Sequence, residues 1–457
     1  MTGKHNQLGI VILAAGQGTR MKSTLPKVLH RLAGRPLLGH VIDCARALDP
    51  VEIVVVYGHG GDQVRTGFAD EVDLRWVEQA AQLGTGHAVQ LALPAFERAD
   101  RILVLYGDVP LTRPETLAEL VAVGGRFGLL TVDLDDPTGY GRIVRGPGGQ
   151  VERIVEHKDA DAAVRAVREV NTGIMLLPRE DLARWLDGLS NDNTQGEYYL
   201  TDVLAMAVGE GIGIQVCQPH EPTEAEGVNT RSQLAALERV YQRRMAEQLM
   251  AAGVTLRDPS RFDLRGSLRC GTDVEIDINA VIEGDVRIGN RVRIGANCVL
   301  RDVLIGDDVE ILDHCVLEQS RVGEGSRVGP FARLRPGAEL VGGGHVGNFV
   351  EIKKSRVGRG SKVNHLTYIG DAEIGEGVNI GAGTITCNYD GANKHRTVIE
   401  DRAFIGSNSA LVAPVTIGEN ATIGAGSVIG RDAPKDKLTL SRAKQVSLSW
   451  HRPTKKT

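Results

Sequence analysis

From Val274 to about Ile429 the chain repeats an apolar residue every six positions, a period that few folds can use. Ile276, Ile282, Ile288, Ile294 and Leu300 are each six apart; a five-residue step reaches Ile305, and sixes follow to Ile311 and Leu317. Another five leads to Val322, then sixes run through Val328, Leu334, Leu340, Val346 and Ile352. Val357, Val363, Ile369, Ile374 and Ile380 continue the ladder, which then jumps nineteen residues to Ile399 and resumes in sixes through Ile405, Leu411, Ile417, Ile423 and Ile429. An amphipathic helix repeats at 3.6 residues and an ordinary strand at two, so neither fits. A parallel β-helix of hexapeptides does fit: each hexapeptide is one short strand and a corner, and stacked coils point the ladder residues into one core.

Gly often follows the ladder residue, as at Gly289, Gly295, Gly306 and Gly418, where a missing Cβ lets the backbone turn a corner. The five-residue steps trim corners. The nineteen-residue jump predicts a bulge or protruding loop around Thr386 to Arg396. A Gly-rich β-sandwich is the alternative, but sandwich strands do not hold a period of six for so long.

At 457 residues the chain has room for two to four domains. Aromatics are only 4% and Gly numbers 56, as a narrow aliphatic core with many corners requires. The net charge of −5 leaves no electrostatic footprint for nucleic acid. The locally basic end, Arg452 to Thr457, reads as a solvated terminus. No cationic leader precedes an apolar run, and the first such run, Leu8–Leu13, is strand length, far short of a membrane span. The six cysteines show no CxxC spacing; Cys298 and Cys315 sit two residues before ladder positions and read as packing. Reducing cytoplasm is the expected compartment.

Residues 8 to about 228 read differently. The apolar runs Leu8–Leu13, Val51–Tyr57, Ile102–Tyr106 and Gly128–Val132 alternate with helix-like stretches at Pro36–Leu48, Gly86–Leu93 and Pro114–Val123. That alternation predicts a mostly parallel sheet with helices on both faces, with ligands at the carboxyl ends of the strands. The first run empties into Leu13-Ala-Ala-Gly-Gln-Gly-Thr-Arg-Met21, with Pro26-Lys27 shortly after. Glycines let backbone N–H groups approach an anion, and Arg20 and Lys27 add charge for a polyphosphate. Met21 stands where a dinucleotide fingerprint needs a third Gly, and no GK[ST] follows, so neither a Rossmann dinucleotide site nor a P-loop is expected.

This L-A-A-G-x-G-T-R-M…P-K pattern resembles the signature of the sugar-1-phosphate nucleotidylyltransferases. Further segments continue the resemblance: Gln79 and Gln82-Leu-Gly-Thr-Gly-His-Ala88 resemble the uracil and ribose contacts, and Tyr106-Gly107-Asp108 ends a strand as the family's metal-binding Asp does. Thr138-Gly-Tyr-Gly-Arg142, Val155-Glu-His-Lys158 and Asn171-Thr-Gly173 resemble the sugar-binding segments, and Glu226-Gly-Val-Asn229 the segment with the second metal ligand. Taken singly, an Asp at a strand end is more often a turn cap, Glu156 a surface charge, and Asn171 or Asn229 a turn or cap residue. The resemblance implies a UTP and UDP-sugar site at Leu13, Ala14, Ala15, Gly16, Arg20, Lys27, Gln79, Gly84, Thr85, Tyr106, Gly107, Asp108, Gly141, Glu156, Asn171 and Asn229, with Mg²⁺ on Asp108 and Asn229. A sugar-1-phosphate oxygen would attack the α-phosphorus and pyrophosphate would leave, chemistry that rests on positioning and charge neutralisation rather than on a covalent nucleophile.

Between the two patterns, Thr230-Arg-Ser-Gln233 fits a capping box. Leu234, Leu237, Val240, Tyr241 and Leu249 follow at roughly helical spacing and Gly253 is a plausible stop, giving a helix of about twenty residues, roughly 30 Å long.

The β-helix itself carries polar segments that a scaffold does not require: Arg333-Leu-Arg335, Val350-Glu-Ile-Lys-Lys354, Asn364-His-Leu-Thr-Tyr-Ile-Gly-Asp371, and Asn379 through Gly391. They resemble the acetyltransferase half of the bifunctional bacterial N-acetylglucosamine-1-phosphate uridylyltransferase/glucosamine-1-phosphate N-acetyltransferases, and with the N-terminal motifs the resemblance spans essentially the whole chain. It implies that Arg335, Lys353, Tyr368 and Asn379 hold the amino-sugar phosphate, that His365 is the catalytic base, and that Ala382, Asn388, Tyr389, Ser407, Ala425 and Arg442 line an acetyl-CoA site. Acyl transfer to an amine needs the amine neutral, and histidine is the residue type that titrates near neutral pH. Taken alone, a histidine such as His365 is more often a plain surface residue. His345, about one coil away, raises a metal site as a rival. Val363-Asn364 departs from the small residues expected there.

The expected fold is therefore α/β: an N-terminal doubly wound, Rossmann-like nucleotidylyltransferase domain at 1–229, a linker helix at 230–251, and a C-terminal left-handed parallel β-helix at 252–457. The implied substrates are glucosamine 1-phosphate, acetyl-CoA, N-acetylglucosamine 1-phosphate and UTP, and the product would feed cell-wall and lipopolysaccharide synthesis. A homotrimer with acetyltransferase sites shared between chains is expected, with no nucleic-acid partner. The rival is a single-function pyrophosphorylase with a non-catalytic β-helix for trimerisation or regulation.

Overall fold

The structure, a computed structural model, describes residues 7–58 and 60–452; the basic end beyond Arg452 lies outside them. The chain forms two compact units, 1–241 and 242–457.

The first unit is built on a nine-stranded sheet. Its main path runs Ile214–Cys217, Phe127–Asp133, Glu169–Pro178, Arg101–Tyr106, Leu8–Ala14, Glu52–Tyr57, Leu74–Glu78. The four strands legible in the sequence are there. All neighbours on the path pair in parallel except Glu169–Pro178, which is antiparallel to both of its neighbours. Alternation within the central strands explains the two wound faces. Val11, Leu13, Val54, Val56, Ile102 and Val104 enter one core, while Ile10, Ile12, Ile53, Val55, Leu103 and Leu105 enter the other. Helices Leu37–Arg46, Thr85–Ala92 and Pro114–Val123 stand where the sequence predicts them. The strand Leu8–Ala14 lies between Glu52–Tyr57 and Arg101–Tyr106, so the crossovers diverge at its carboxyl end, where a cleft opens.

The helix Arg231–Ala251 begins on the expected capping box. Thr230 Oγ1 accepts from the Gln233 N–H at 3.2 Å, and Gln233 Oε1 accepts from the Thr230 N–H at 3.0 Å. In the first unit, Leu237 packs with Met21, Leu32 and Leu37. In the second, Ala246 joins the β-helix core, and Gln242 pairs both ways with the Leu264 backbone, at 2.9 and 2.7 Å.

The second unit is a parallel β-helix. Every ladder residue from Ile276 to Ile429 is buried, none more than 5% exposed. The registers give the coil length directly. Ile276 faces Ile294, eighteen on, whereas Ile294 faces Ile311 and Ile311 faces Val328, seventeen on. Each five-residue step thus shortens one coil by one residue without disturbing the stack. Burying one such side chain contributes about 1.5–3 kcal/mol, so the ladder alone commits the chain to this fold.

The long jump has a specific cause. Ile380 faces Ile405, twenty-five positions on. Thr386 holds the missing ladder position, 1% exposed, and the extra residues leave as a loop, 388–396, pinned by a bridge between Tyr389 and Lys394. Thr386 is polar because its hydroxyl does backbone work: Oγ1 accepts from the Gly370 N–H at 2.8 Å and donates to the Gly370 carbonyl at 3.1 Å. Thr386→Val keeps the shape but strands two buried backbone groups. We expect a loss of about 2 kcal/mol, read as a lowered Tm in a thermal melt.

Candidate active sites

In the N-terminal unit a cavity of about 530 Å³ opens at the carboxyl end of Leu8–Ala14. Ten of the residues singled out from the sequence line it: Leu13, Ala14, Ala15, Gly16, Lys27, Gln79, Gly84, Thr85, Tyr106 and Asp108. Gln17, Gln82 and Glu197 line it too; of these, Gln17 and Glu197 carried no distinguishing sequence signal. The loop that bears Gly16 is tied down by Gln82, whose Nε2 donates to the Ala15 carbonyl at 2.6 Å. Gly84 has φ +110°, and a Cβ there would lie 2.6 Å from the Tyr198 carbonyl oxygen. Gly84→Ala therefore forces the wall of the cavity outward. On the expectation that this cavity takes a nucleotide, the result is a rise in the KM for it of about tenfold or more, with any chemistry on the β-helix untouched.

The charged end of the cavity is organised by Lys27. Its ammonium forms an ion pair with Asp108 Oδ2 and also donates to Asn229 Oδ1 at 3.1 Å. Arg20 Nη2 donates to the same Asn229 oxygen at 2.8 Å. The Val228 N–H donates to the Asp108 carbonyl at 2.8 Å, which brings the segment bearing Asn229 against the strand end that bears Asp108. One carboxylate oxygen and one amide oxygen, 121 positions apart in sequence, thus converge on one cationic point. All-oxygen donors with room for waters and phosphate are what a hard divalent cation takes, and an ammonium is the natural occupant of that point otherwise. The residues fit such an ion. Among the described residues no group of three His, Cys, Asp or Glu side chains is placed to hold a metal, so phosphate oxygens and water would complete its shell.

Gly141, Glu156 and Asn171 form a second cluster that touches the cavity through Tyr106. The Asn171 N–H donates to the Gly141 carbonyl at 2.9 Å, and Asn171 Oδ1 accepts from the Gly173 N–H at 2.9 Å. A Cβ on Gly141 would meet Glu156 Oε1 at 3.2 Å. Burial pushes the Glu156 carboxyl above its ordinary range, partly offset by the Thr201 hydroxyl that donates to it. Gly107 completes the strand end, donating to the Leu13 carbonyl at 2.9 Å.

On the β-helix, His365 ends the strand Lys362–His365. Its Nδ1 lies 2.8 Å from Asn348 Oδ1. An amide oxygen only accepts, so Nδ1 carries the proton and Nε2 presents the lone pair. Sequence reasoning missed Asn348, although the ladder could have found it: Asn348 faces His365 in register, one trimmed coil below. Beside them, Asn364 Oδ1 is buried without a hydrogen-bond partner among the described residues.

Arg335, Lys353 and Tyr368 gather on the adjoining sheet. Arg335 donates to Glu351 at 2.8 Å, and Lys353 faces Lys394 closely enough to push the Lys394 ammonium below its ordinary range. Lys394, in the protruding loop, falls outside any period and was not singled out. Two facing ammoniums with a guanidinium nearby suit a dianion. Asn379 stands apart from these three, on the sheet that carries His365.

The six residues expected at acetyl-CoA also fall into two groups. Ala382, Ser407 and Ala425 each follow the buried ladder residues Ile380, Ile405 and Ile423 by two, forming a column that Arg442 covers by donating to the Ala425 carbonyl at 3.1 Å. Asn388 and Tyr389 belong to the loop: Asn388 donates to Asp371, and the Tyr389 hydroxyl to the Gly391 carbonyl at 2.6 Å. Along the chain the strand Ile385–Cys387 lies between them: Ala382 precedes it, and Asn388 and Tyr389 follow it.

Comparison with known proteins agrees with this division of the chain. Residues 10–198 match a family model described as the MobA-like NTP transferase domain. Residues 264–346 match the GMPPB C-terminal domain, and residues 396–431 the bacterial transferase hexapeptide (six repeats). The chain is 58% identical to the bifunctional protein GlmU of Cupriavidus pinatubonensis over 98% of this chain and 99% of that protein. It is 57% identical to the bifunctional protein GlmU of Ralstonia pickettii over the same shares. A solved structure of UDP-glucose pyrophosphorylase with UDP-glucose is 16% identical over 52% of this chain and 99% of that one, with a TM-score of 0.42, too low to add weight. With such identity across nearly its full length, the chain belongs to the bifunctional GlmU family.

Proposed function

We propose that the two sites above divide the work of this enzyme, acetylation on the β-helix and uridylyl transfer in the N-terminal cavity. The chain is a bifunctional transferase with uridylyltransferase and acetyltransferase activities; the assignment of residues to steps is our reading. In the first step the glucosamine 1-phosphate amine attacks the acetyl carbonyl of acetyl-CoA and CoA thiolate leaves. Arg335, Lys353 and Tyr368 hold the phosphate, with Lys394 beside them, and Asn379 contacts the sugar. His365 Nε2 takes the amine proton, its ring held by Asn348. Ala382, Asn388, Tyr389, Ser407, Ala425 and Arg442 receive acetyl-CoA.

In the second step an oxygen of N-acetylglucosamine 1-phosphate attacks the α-phosphorus of UTP and pyrophosphate leaves. Arg20 and Lys27 neutralise the triphosphate. The backbone of Leu13, Ala14, Ala15 and Gly16 lies along it, with Gly107 behind, and Gln79, Gly84 and Thr85 face the nucleoside. Tyr106, Gly141, Glu156 and Asn171 hold the sugar. Asp108 and Asn229 would hold a divalent ion, which we read as Mg²⁺; when bound it stabilises charge on the phosphate oxygens. The observation that carries this half is the convergence of the Asp108 and Asn229 oxygens on one cationic point at the cavity.

Both groups of acetyl-CoA residues, and Asn379 against Arg335, are separated on one chain. We therefore read the active form as a homotrimer in which neighbouring copies complete each acetyl site. An exposed corner column supports this: Phe349 and Leu366, 55% and 65% exposed, take φ +56° and +49° beside His365, and Phe349 stacks on Phe331 at 5.3 Å. No described helix is long and apolar enough to cross a membrane; a cytoplasmic enzyme feeding cell-wall and lipopolysaccharide synthesis is the reading. The test uses purified protein in two assays, CoA thiol release from acetyl-CoA and glucosamine 1-phosphate, and pyrophosphate release from UTP, Mg²⁺ and N-acetylglucosamine 1-phosphate. Both are expected; absence of either removes the corresponding half.

A further inference from the structure

Gln79 is only 4% exposed, and its hydrogen-bond accounting leaves one end free. Its Nε2 lies 3.0 Å from the Gly84 carbonyl oxygen and 3.2 Å from His87 Nδ1. A carbonyl oxygen has only lone pairs, so the amide atom against it is the nitrogen. The second amide hydrogen goes to His87 Nδ1, which requires the neutral tautomer protonated on Nε2. Both donors are then spent inside the wall, and Oε1 has no partner within the described residues. Gln79 lines the cavity together with Gly84 and Thr85, so the group it offers a ligand there is an acceptor.

We infer that His87 is a positioning residue that locks Gln79 as a pure acceptor and so sets the base preference of the nucleotide site. Uracil presents an N3–H to such an oxygen. Cytosine presents a lone pair at the same ring position and meets repulsion. A methyl group at C5 leaves N3–H unchanged, so this lock does not tell uracil from 5-methyluracil. Without His87 the amide is held by Gly84 alone and can turn an N–H toward the base. This rests on the reading of the cavity as the UTP site.

The experiment measures kcat/KM of the full-length enzyme for UTP, CTP and 5-methyl-UTP, with pyrophosphate release as the readout. The wild type is expected to favour UTP over CTP by about a hundredfold or more, because a polar site punishes the wrong hydrogen-bond pattern strongly. In His87→Leu that ratio falls about tenfold or more, while the ratio of UTP to 5-methyl-UTP stays at the wild-type value. His87→Asn keeps the wild-type preference, since Asn Oδ1 takes the place of imidazole Nδ1 as acceptor. If His87→Leu does not fold, His87→Ala is read in its place. An unchanged UTP to CTP ratio in the variant overturns the inference, as does an equal fall in both ratios. Pyrophosphate release from wild type without any UTP preference removes the base-specific reading of the cavity itself, a result that the variants do not enter.

Discussion

His365→Ala lowers CoA release by about 10²- to 10⁴-fold and leaves pyrophosphate release within a factor of two of wild type. The ring sits on the surface of one coil and makes no core contact; the neighbouring Val363 carries the packing, at 0% exposure. On its proposed role, its removal therefore deletes a base without deleting a wall. The tautomer argument sharpens the prediction. Asn348→Leu removes the acceptor that fixes Nδ1–H, so kcat falls by about tenfold while the KM for glucosamine 1-phosphate moves little. Asn348→Asp places a carboxylate there instead. A negative charge favours imidazolium, the base must then be neutralised at higher pH, and the acid limb of the pH–rate profile for acetyl transfer shifts upward. A role in packing alone would give no such displacement.

Asp108→Asn is expected to act on the other activity alone. Pyrophosphate release falls by about 10²- to 10³-fold, the scale on which oriented charge at a transferring phosphoryl group operates, and CoA release is unchanged. The substitution preserves shape, so the loss is electrostatic. Among the described residues, Asp108 supplies the one carboxylate that bonds at Lys27 and Asn229. On the proposed metal role, an amide in its place would deprive the divalent ion of its charged anchor, and the Mg²⁺ concentration for half-maximal rate would rise as kcat falls. A drop in kcat with an unaltered Mg²⁺ dependence would assign Asp108 to holding Lys27 instead.

How much of this could be read from the sequence differs between the units for a physical reason. In the β-helix, burial, register and corner all repeat with the apolar ladder, so Ile276 to Ile429 declare the fold almost unaided. The ladder breaks only at Thr386, where a hydroxyl replaces apolar burial by bonding both polar groups of Gly370; pattern alone placed a loop there but not its pinned core. In the N-terminal unit the central strands are apolar on both faces and were legible. Leu74–Glu78 and Arg142–Arg145 each end on an exposed charged residue and carry a further arginine, half-buried at Arg75 and buried at Arg142, and were not. The antiparallel Glu169–Pro178 is set by its neighbours, a property no local window contains.

The candidate sites follow the same logic. Loop residues such as Gly18 and Gly84, at φ +62° and +110°, are constrained by backbone geometry and leave a mark in the sequence. Asn348, Lys394 and Glu197 act through contacts that only the fold creates, and single residues of those types carry no local signature. The separation of Asn388 and Tyr389 from the column of Ala382, Ser407 and Ala425 is likewise invisible until the coils are stacked.

The most direct test of two independent sites on one chain is a complementation assay. His365→Ala and Asp108→Asn proteins are each supplied with glucosamine 1-phosphate, acetyl-CoA, UTP and Mg²⁺, singly and mixed, and UDP-N-acetylglucosamine is measured. Each alone yields almost none; the mixture restores it, because one variant makes the intermediate that the other consumes. Loss of both partial activities in either single variant would contradict the account, since it would mean that one site, not two, performs the chemistry.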